Sequence, residues 1–192
     1  METKNTIYFV RHAESDTNIK DEILRPLTAK GREESRIIKS YLANKNIDLI
    51  YSSPYKRSIE TLKDFSSYID KEIIIIENLK ERRISEEWIE DFDSFVENQW
   101  GDFNFKLNGG EALLEVQKRN IKAVQGILRN NPNKNIVVGT HGTALSTIIN
   151  YFDNSFQYEE FKRIKNIMPW LIKMDFIDGR YIKIQEIDYK KG

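Results

Sequence analysis

Apolar residues in this chain fall into two kinds of stretch that alternate along its length. Short β-prone runs, Ile7 to Val10, Ile47 to Tyr51, Glu72 to Ile76 and Asn135 to Thr140, are separated by longer stretches with apolar residues three and four positions apart. Thr28 is placed to cap a helix in which Ile37, Ile38, Tyr41 and Leu42 recur at helical spacing up to Asn44. Ser52-Ser53-Pro54 starts a second helix that runs to about Ile69 and carries Arg57 in its first turn or so. Asn108-Gly109-Gly110-Glu111 introduces a long helix to about Asn130, with Leu113, Leu114, Ile121, Val124 and Leu128 on one side, and Asn131-Pro132-Asn133 stops it. From Gly142 onward a helix contains Ala144, Leu145, Ile148 and Ile149, and a further helical piece covers Tyr158 to Lys165. Two alternating runs, Trp170 to Phe176 and Tyr181 to Ile187, flank Asp178-Gly179, a hairpin signal. The isoleucine-rich run 72–76 reads as a strand buried on both faces.

Strand followed by helix, repeated, predicts a three-layer α/β/α sandwich around a largely parallel sheet, with an antiparallel element towards the C-terminus. One domain spanning residues 1–192 accommodates the whole pattern. The stretch from Glu86 to Phe105 departs from it: seven acidic residues, no lysine or arginine, and aromatics that include Trp88, Phe92, Phe95, Trp100 and Phe103. Trp88, Phe92 and Phe95 can share a helical face, so the segment is expected to be an amphipathic helical lid inserted over the site.

Chemistry gathers where strands end. The first β-run stops at Arg11-His12-Ala13-Glu14-Ser15, and the only other histidine, His141, ends the run from Asn135 between Gly139 and Gly142. In an open α/β sheet the carboxyl ends of the strands are where ligands bind, because loops and helix N-termini converge there. Arg57 and the segment Leu79-Lys80-Glu81-Arg82 follow strands too, so Arg11, His12, Arg57, Glu81 and His141 are expected at one edge of the sheet.

Composition narrows the rest. Thirty basic residues balance 30 acidic ones, so no overall field draws the chain to nucleic acid or an anionic membrane. The absence of cysteine excludes disulfides, a thiol nucleophile and thiolate-bound metal, and two histidines argue against a histidine-rich metal site. No apolar run approaches the ~20 residues that span a bilayer, and Met1 to Asn5 lack the apolar core of a signal peptide, so a soluble cytoplasmic protein is expected. Nothing in the residues specifies an oligomeric state.

Two arginines, two histidines and a helix N-terminus make a cationic pocket for a small dianion, and phosphate is the natural candidate. Phosphoryl transfer needs an in-line nucleophile, compensation for charge on the non-bridging oxygens and a proton for the leaving oxygen. A neutral His12 can attack, Arg11, Arg57 and His141 can hold the oxygens, and a carboxylic acid such as Glu81 can protonate the departing alkoxide and then deprotonate water. This chemistry calls for neither metal nor cofactor. The same blocks, Arg11 to Ser15 with Asn18, Pro26 to Gly31, Ser52 to Thr61, Leu79 to Arg82, Gly110 to Arg119 and Thr140 to Gly142, together resemble the histidine phosphatase superfamily, the phosphoglycerate mutase-like proteins.

The resemblance implies His12 as the phosphorylated nucleophile, Arg11, Arg57 and His141 as phosphate ligands, Glu81 as acid and base, and Asn18 as a further phosphate-binding residue. Ala13 departs from the family's usual glycine, and Glu86 and Glu87 lie close enough to compete with Glu81. Family mutases resemble longer chains with a basic insertion, whereas here the segment is acidic and should repel a second phosphate. The expected activity is hydrolysis of a small phosphomonoester. The alternatives are a bisphosphoglycerate-dependent phosphoglycerate mutase and a non-catalytic phosphate-binding adaptor or sensor.

Overall fold

The computed structural model of the chain describes residues 2–86 and 89–189. Its strands are β1 (Lys4–Arg11), β2 (Leu49–Ser52), β3 (Ile73–Ile75), β4 (Asn135–Thr140), β5 (Trp170–Ile177) and β6 (Arg180–Glu186). Its α-helices are α1 (Ala29–Leu42), α2 (Lys56–Tyr68), α3 (Phe92–Gly101), α4 (Leu113–Asn130), α5 (Gly142–Phe152) and α6 (Tyr158–Ile164), with one 3-10 turn at Glu77–Leu79. The sheet order is β3-β2-β4-β1-β5-β6. The first four strands are mutually parallel, β5 runs antiparallel beside β1, and β6 runs antiparallel beside β5, as the hairpin at Asp178-Gly179 requires. Both turn residues have positive φ, 47° and 73°, which suits an aspartate and a glycine.

Period-two alternation divides the core between the faces of the sheet. Ile7 and Phe9 of β1, with Ile136 and Val138 of β4, pack under α4, α5 and α6. Their neighbours Tyr8, Val10 and Val137 point the other way, to Ile38 and Leu42 of α1 and Leu62 and Phe65 of α2. Thr28 caps α1 by accepting a hydrogen bond from Gly31 N–H at 3.0 Å. Ile37, expected on the buried side of α1, faces solvent, while Ile38 and Leu42 carry the packing.

Strand β3 corrects a larger expectation. It is three residues long and lies at the edge of the sheet, and Ile74 and Ile75 are 43% and 44% exposed. An edge strand has a neighbour on one side only, so isoleucine content did not imply burial on both faces. Segment 86–105 does contain a helix, but its packed face is Phe95, Val96, Gln99 and Trp100, and Phe92 stays 41% exposed beside Phe95. Trp100 sits among Phe103, Phe156 and Phe161, and Asp93 pairs outward with Lys165 at 2.8 Å. Trp88 and Glu87, named above in the lid and as a rival to Glu81, lie outside the described residues.

Candidate active site

Strands β1 and β4 are adjacent and in register, Arg11 opposite Thr140, so the residues that follow them emerge side by side. His12 N–H donates to Thr140 O at 3.1 Å, and the two imidazole centroids are 5.3 Å apart. Strand β2, on the other flank of β4, delivers Ser53, whose N–H donates to Gly139 O at 3.0 Å. Gly139 is needed there: a Cβ would come within 3.0 Å of Ser52, Ser58 and Leu62 side-chain atoms. The loop from Ser53 to Tyr55 then starts α2, which places Arg57 at the second helical residue, 3% exposed.

His12 is buried, and its Nδ1 lies 2.7 Å from Ala13 O. A carbonyl can only accept, so Nδ1 carries the proton and the neutral ring presents a lone pair at Nε2. Arg57 Nε–H donates to that Nε2 at 3.1 Å. Burial above all, and then the Arg57 charge, push the His12 pKa well below its ordinary value; the bond to Ala13 O opposes this more weakly. The imidazole is therefore neutral at physiological pH. His141, fully buried, is driven the same way by burial and then by Arg57 and His12.

Arg57 has further partners in the loop after β1. Its Nη1 donates to Glu22 O at 2.6 Å and its Nη2 to Glu22 Oε2 at 3.1 Å, while Glu22 Oε1 pairs with Arg25. A carboxylate thus bridges two guanidiniums at the mouth of the site. A carboxylate is one of the oxyanions that paired guanidiniums bind. Tyr55 completes this wall, with its ring 5.0 Å from that of His141 and 4.9 Å from Arg57 Cζ. Spacing and periodicity gave no reason to single out Glu22, Arg25, Ser53 or Tyr55, because none belongs to a regular element.

Arg11 is present but partly committed. Its Nη1 donates to Ile164 O at 2.8 Å and Ile167 O at 3.0 Å, and its Nη2 to Lys165 O at 2.9 Å, so the guanidinium caps the C-terminus of α6. Among the described residues its buried Nε–H has no hydrogen-bond partner, and that donor remains for a ligand. Burial lowers its pKa to about 10, with Glu81 opposing and Arg57 adding to the shift, so it stays charged. Gly142 keeps the space open: a Cβ there would stand 3.0 Å from Arg11 Cζ.

Glu81 reaches the same edge from the 3-10 turn. Its Oε2 accepts from Thr143 N–H at 3.0 Å, and its Oε1 from Ala144 N–H at 3.1 Å and Arg82 N–H at 2.7 Å. The carboxylate therefore rests on the N-terminus of α5, where free amides favour negative charge. Arg119 of α4 holds the segment that carries it, donating to Asn78 O, Lys80 O and Glu81 O at 2.9, 2.7 and 3.1 Å while its other two donors pair with Glu111. Arg82, the next residue, is buried against Phe95 and hydrogen-bonded to Gln99 of α3. Glu86, the competitor within the described residues, is exposed and pairs with Arg83 at 3.3 Å, away from this set. Asn18 sits in an exposed turn, its N–H on Asp16 Oδ1 at 3.0 Å, outside the hydrogen-bond set around the imidazoles.

Two imidazoles, two arginines and a carboxylate thus meet at the carboxyl edge of the parallel strands of one six-stranded sheet. The model of the histidine phosphatase superfamily (branch 1) matches residues 7–182, and the chain belongs to that family. Among curated relatives, it is 26% identical over 155 residues to a protein named putative phosphoserine phosphatase 2 from Hydrogenobacter thermophilus, covering 74% of this chain and 76% of that one. It is 25% identical to one named probable phosphoglycerate mutase GpmB from Serratia proteamaculans, over 74% of this chain and 72% of that one. A phosphoserine phosphatase variant from Entamoeba histolytica, solved in complex with phosphoserine, superposes with a TM-score of 0.78 at 20% identity, over 97% and 98% of the two chains, which establishes the likeness of fold.

Proposed function

We propose that this chain hydrolyses small phosphomonoesters through a phosphohistidine on His12. The observation that carries this reading is the tautomer of His12: its Nδ1–H is bound by Ala13 O and its bare Nε2 faces Arg57 beside the second imidazole. In the reaction the Nε2 lone pair forms a bond to phosphorus as the ester oxygen departs. Arg57 shifts its Nε–H from Nε2 to a non-bridging oxygen, and Arg11 Nε–H and His141 bind the others. Glu81, protonated and moved off the α5 amides, gives its proton to the alkoxide. It then takes a proton from water, which attacks phosphorus, releases phosphate and restores the His12 lone pair. Asn18, in the loop between Ser15 and Leu27, is taken as a further phosphate-binding residue on the family resemblance alone.

Hydrolysis rather than mutase transfer is supported by charge at the mouth. Arg25, an extra cation there, is matched by Glu22; the acidic side chains of α3 face solvent, with Asp93 paired to Lys165, and take no part at the mouth. A bisphosphorylated intermediate would meet little uncompensated positive charge. We take α3 as the border of the mouth next to Glu81, through its contacts with Arg82, rather than as a flap. The names of the relatives make phosphoserine the first alkyl ester to test.

The test is release of phosphate from an aryl phosphate with chelator present. Turnover that survives chelation and vanishes in His12→Ala supports the proposal. A well-folded wild type inactive across a broad phosphoester panel points to the adaptor reading, and efficient isomerisation of 3-phosphoglycerate primed by the bisphosphate points to the mutase.

A further inference from the structure

Ser53 is fully buried at the exit of β2 and has no role in the steps above. Its Oγ lies 2.7 Å from His141 Nε2 and accepts the Tyr55 N–H at 3.2 Å. The other ring nitrogen, His141 Nδ1, is buried without a hydrogen-bond partner among the described residues. These three facts permit two arrangements of hydrogens. If Nε2–H donated to Ser53, the serine hydroxyl hydrogen would have no acceptor, and Nδ1 would be a second unpaired group, a bare lone pair beside the place for an anion. If Ser53 O–H donates to Nε2, the serine is satisfied on both sides and the single unpaired group is an Nδ1–H donor. Buried polar groups are rarely left unpaired, and the second arrangement leaves one fewer, of the sign an anion completes.

We propose that Ser53 is a positioning residue that fixes His141 as the Nδ1–H tautomer, so that this imidazole, while neutral, meets a phosphoryl oxygen as a hydrogen-bond donor. The two histidines then share one tautomer and use opposite nitrogens: His12 attacks through Nε2, and His141 donates through Nδ1. Ser53 plays for His141 the part that Ala13 O plays for His12, that of an outer partner setting which nitrogen faces the reaction. The role assigned to the donor rests on the phosphatase reading, whereas the tautomer itself does not.

The experiment is a two-bond proton–nitrogen correlation spectrum of the imidazoles in uniformly ¹⁵N-labelled wild type at neutral pH. With two histidines in the chain, a His12→Gln sample assigns both. The expected result is a proton-bearing Nδ1 and a bare Nε2 on His141. A proton on Nε2 in wild type overturns the proposal whatever the activity. Ser53→Ala should shift His141 towards the other tautomer and lower kcat/KM for an aryl phosphate by roughly 10- to 100-fold, the scale of losing an outer partner of a functional imidazole. An unchanged tautomer and rate in a folded Ser53→Ala would equally overturn it. Wild type that shows the expected tautomer yet hydrolyses no phosphoester would sink the proposed activity and leave the Ser53 assignment standing.

Discussion

Two buried neutral histidines make the stability of this fold depend on pH in a calculable way. Both native imidazoles have pKa values pushed well below the ordinary one, by burial first and by Arg57 next. In the unfolded chain each returns to about 6.5. As pH falls through that value the unfolded chain binds two protons that the native chain refuses, so stability is greatest above it and drains away below it. Going from about pH 7.5 to about pH 5.5 costs as much as RT ln[(1 + 10)/(1 + 0.1)], that is RT ln 10 or about 1.4 kcal/mol, per histidine, and about 2.7 kcal/mol for both, when the native rings take up no proton. Carboxylates also titrate at the acid end of the range, so the comparison is with the double variant His12→Gln/His141→Gln, which keeps every carboxylate. Urea unfolding followed by tryptophan fluorescence, in phosphate-free buffer, should show wild type losing about 2.7 kcal/mol more than the double variant between the two pH values. Equal losses would mean that the native imidazoles take up protons as readily as the unfolded ones, and that burial and Arg57 do not hold them neutral as this account requires.

Other expectations follow from the contacts at the mouth and behind the acid. Glu81→Gln should slow hydrolysis of alkyl phosphates far more than that of aryl phosphates with good leaving groups, and equal effects on both in steady-state assays would remove Glu81 from the role of acid. Glu22→Gln frees Arg57 and Arg25 from a half-exposed carboxylate, so inorganic phosphate should inhibit at concentrations about two- to fivefold lower, the scale of such an ion pair; weaker inhibition would show that Glu22 assists binding. Arg119→Ala strands the Glu111 carboxylate and three carbonyls, a loss of about 3 kcal/mol that at 2–4 °C per kcal/mol lowers Tm by about 6–12 °C in a thermal melt. A Tm within about 2 °C of wild type would mean that this clamp contributes little.

The features legible in the sequence are those specified locally. Strand β4 is a continuous apolar run because it is central and covered on both faces, and its histidine could be placed from the run alone. The cap at Thr28, the hairpin at Asp178-Gly179 and the position of Arg57 at the start of α2 each depend on a few adjacent residues. Properties set by distant partners were not legible. Strand β3 is half exposed because strand order puts it at the edge, and no count of isoleucines encodes strand order. Arg82 is buried because α3 covers it, and three of the Arg11 donors are taken by carbonyls more than 150 positions away. Glu22, Arg25 and Ser53 belong to loops, where periodicity carries no signal and only the folded backbone decides what a side chain meets.

The most direct measurement is to look for the covalent intermediate. Wild type mixed with an aryl phosphate, stopped in alkali during turnover and digested, should yield one phosphorylated peptide, with the acid-labile phosphoryl group on His12. Full turnover with no phosphopeptide, or phosphate on any residue other than His12, would contradict the chemistry proposed for this site.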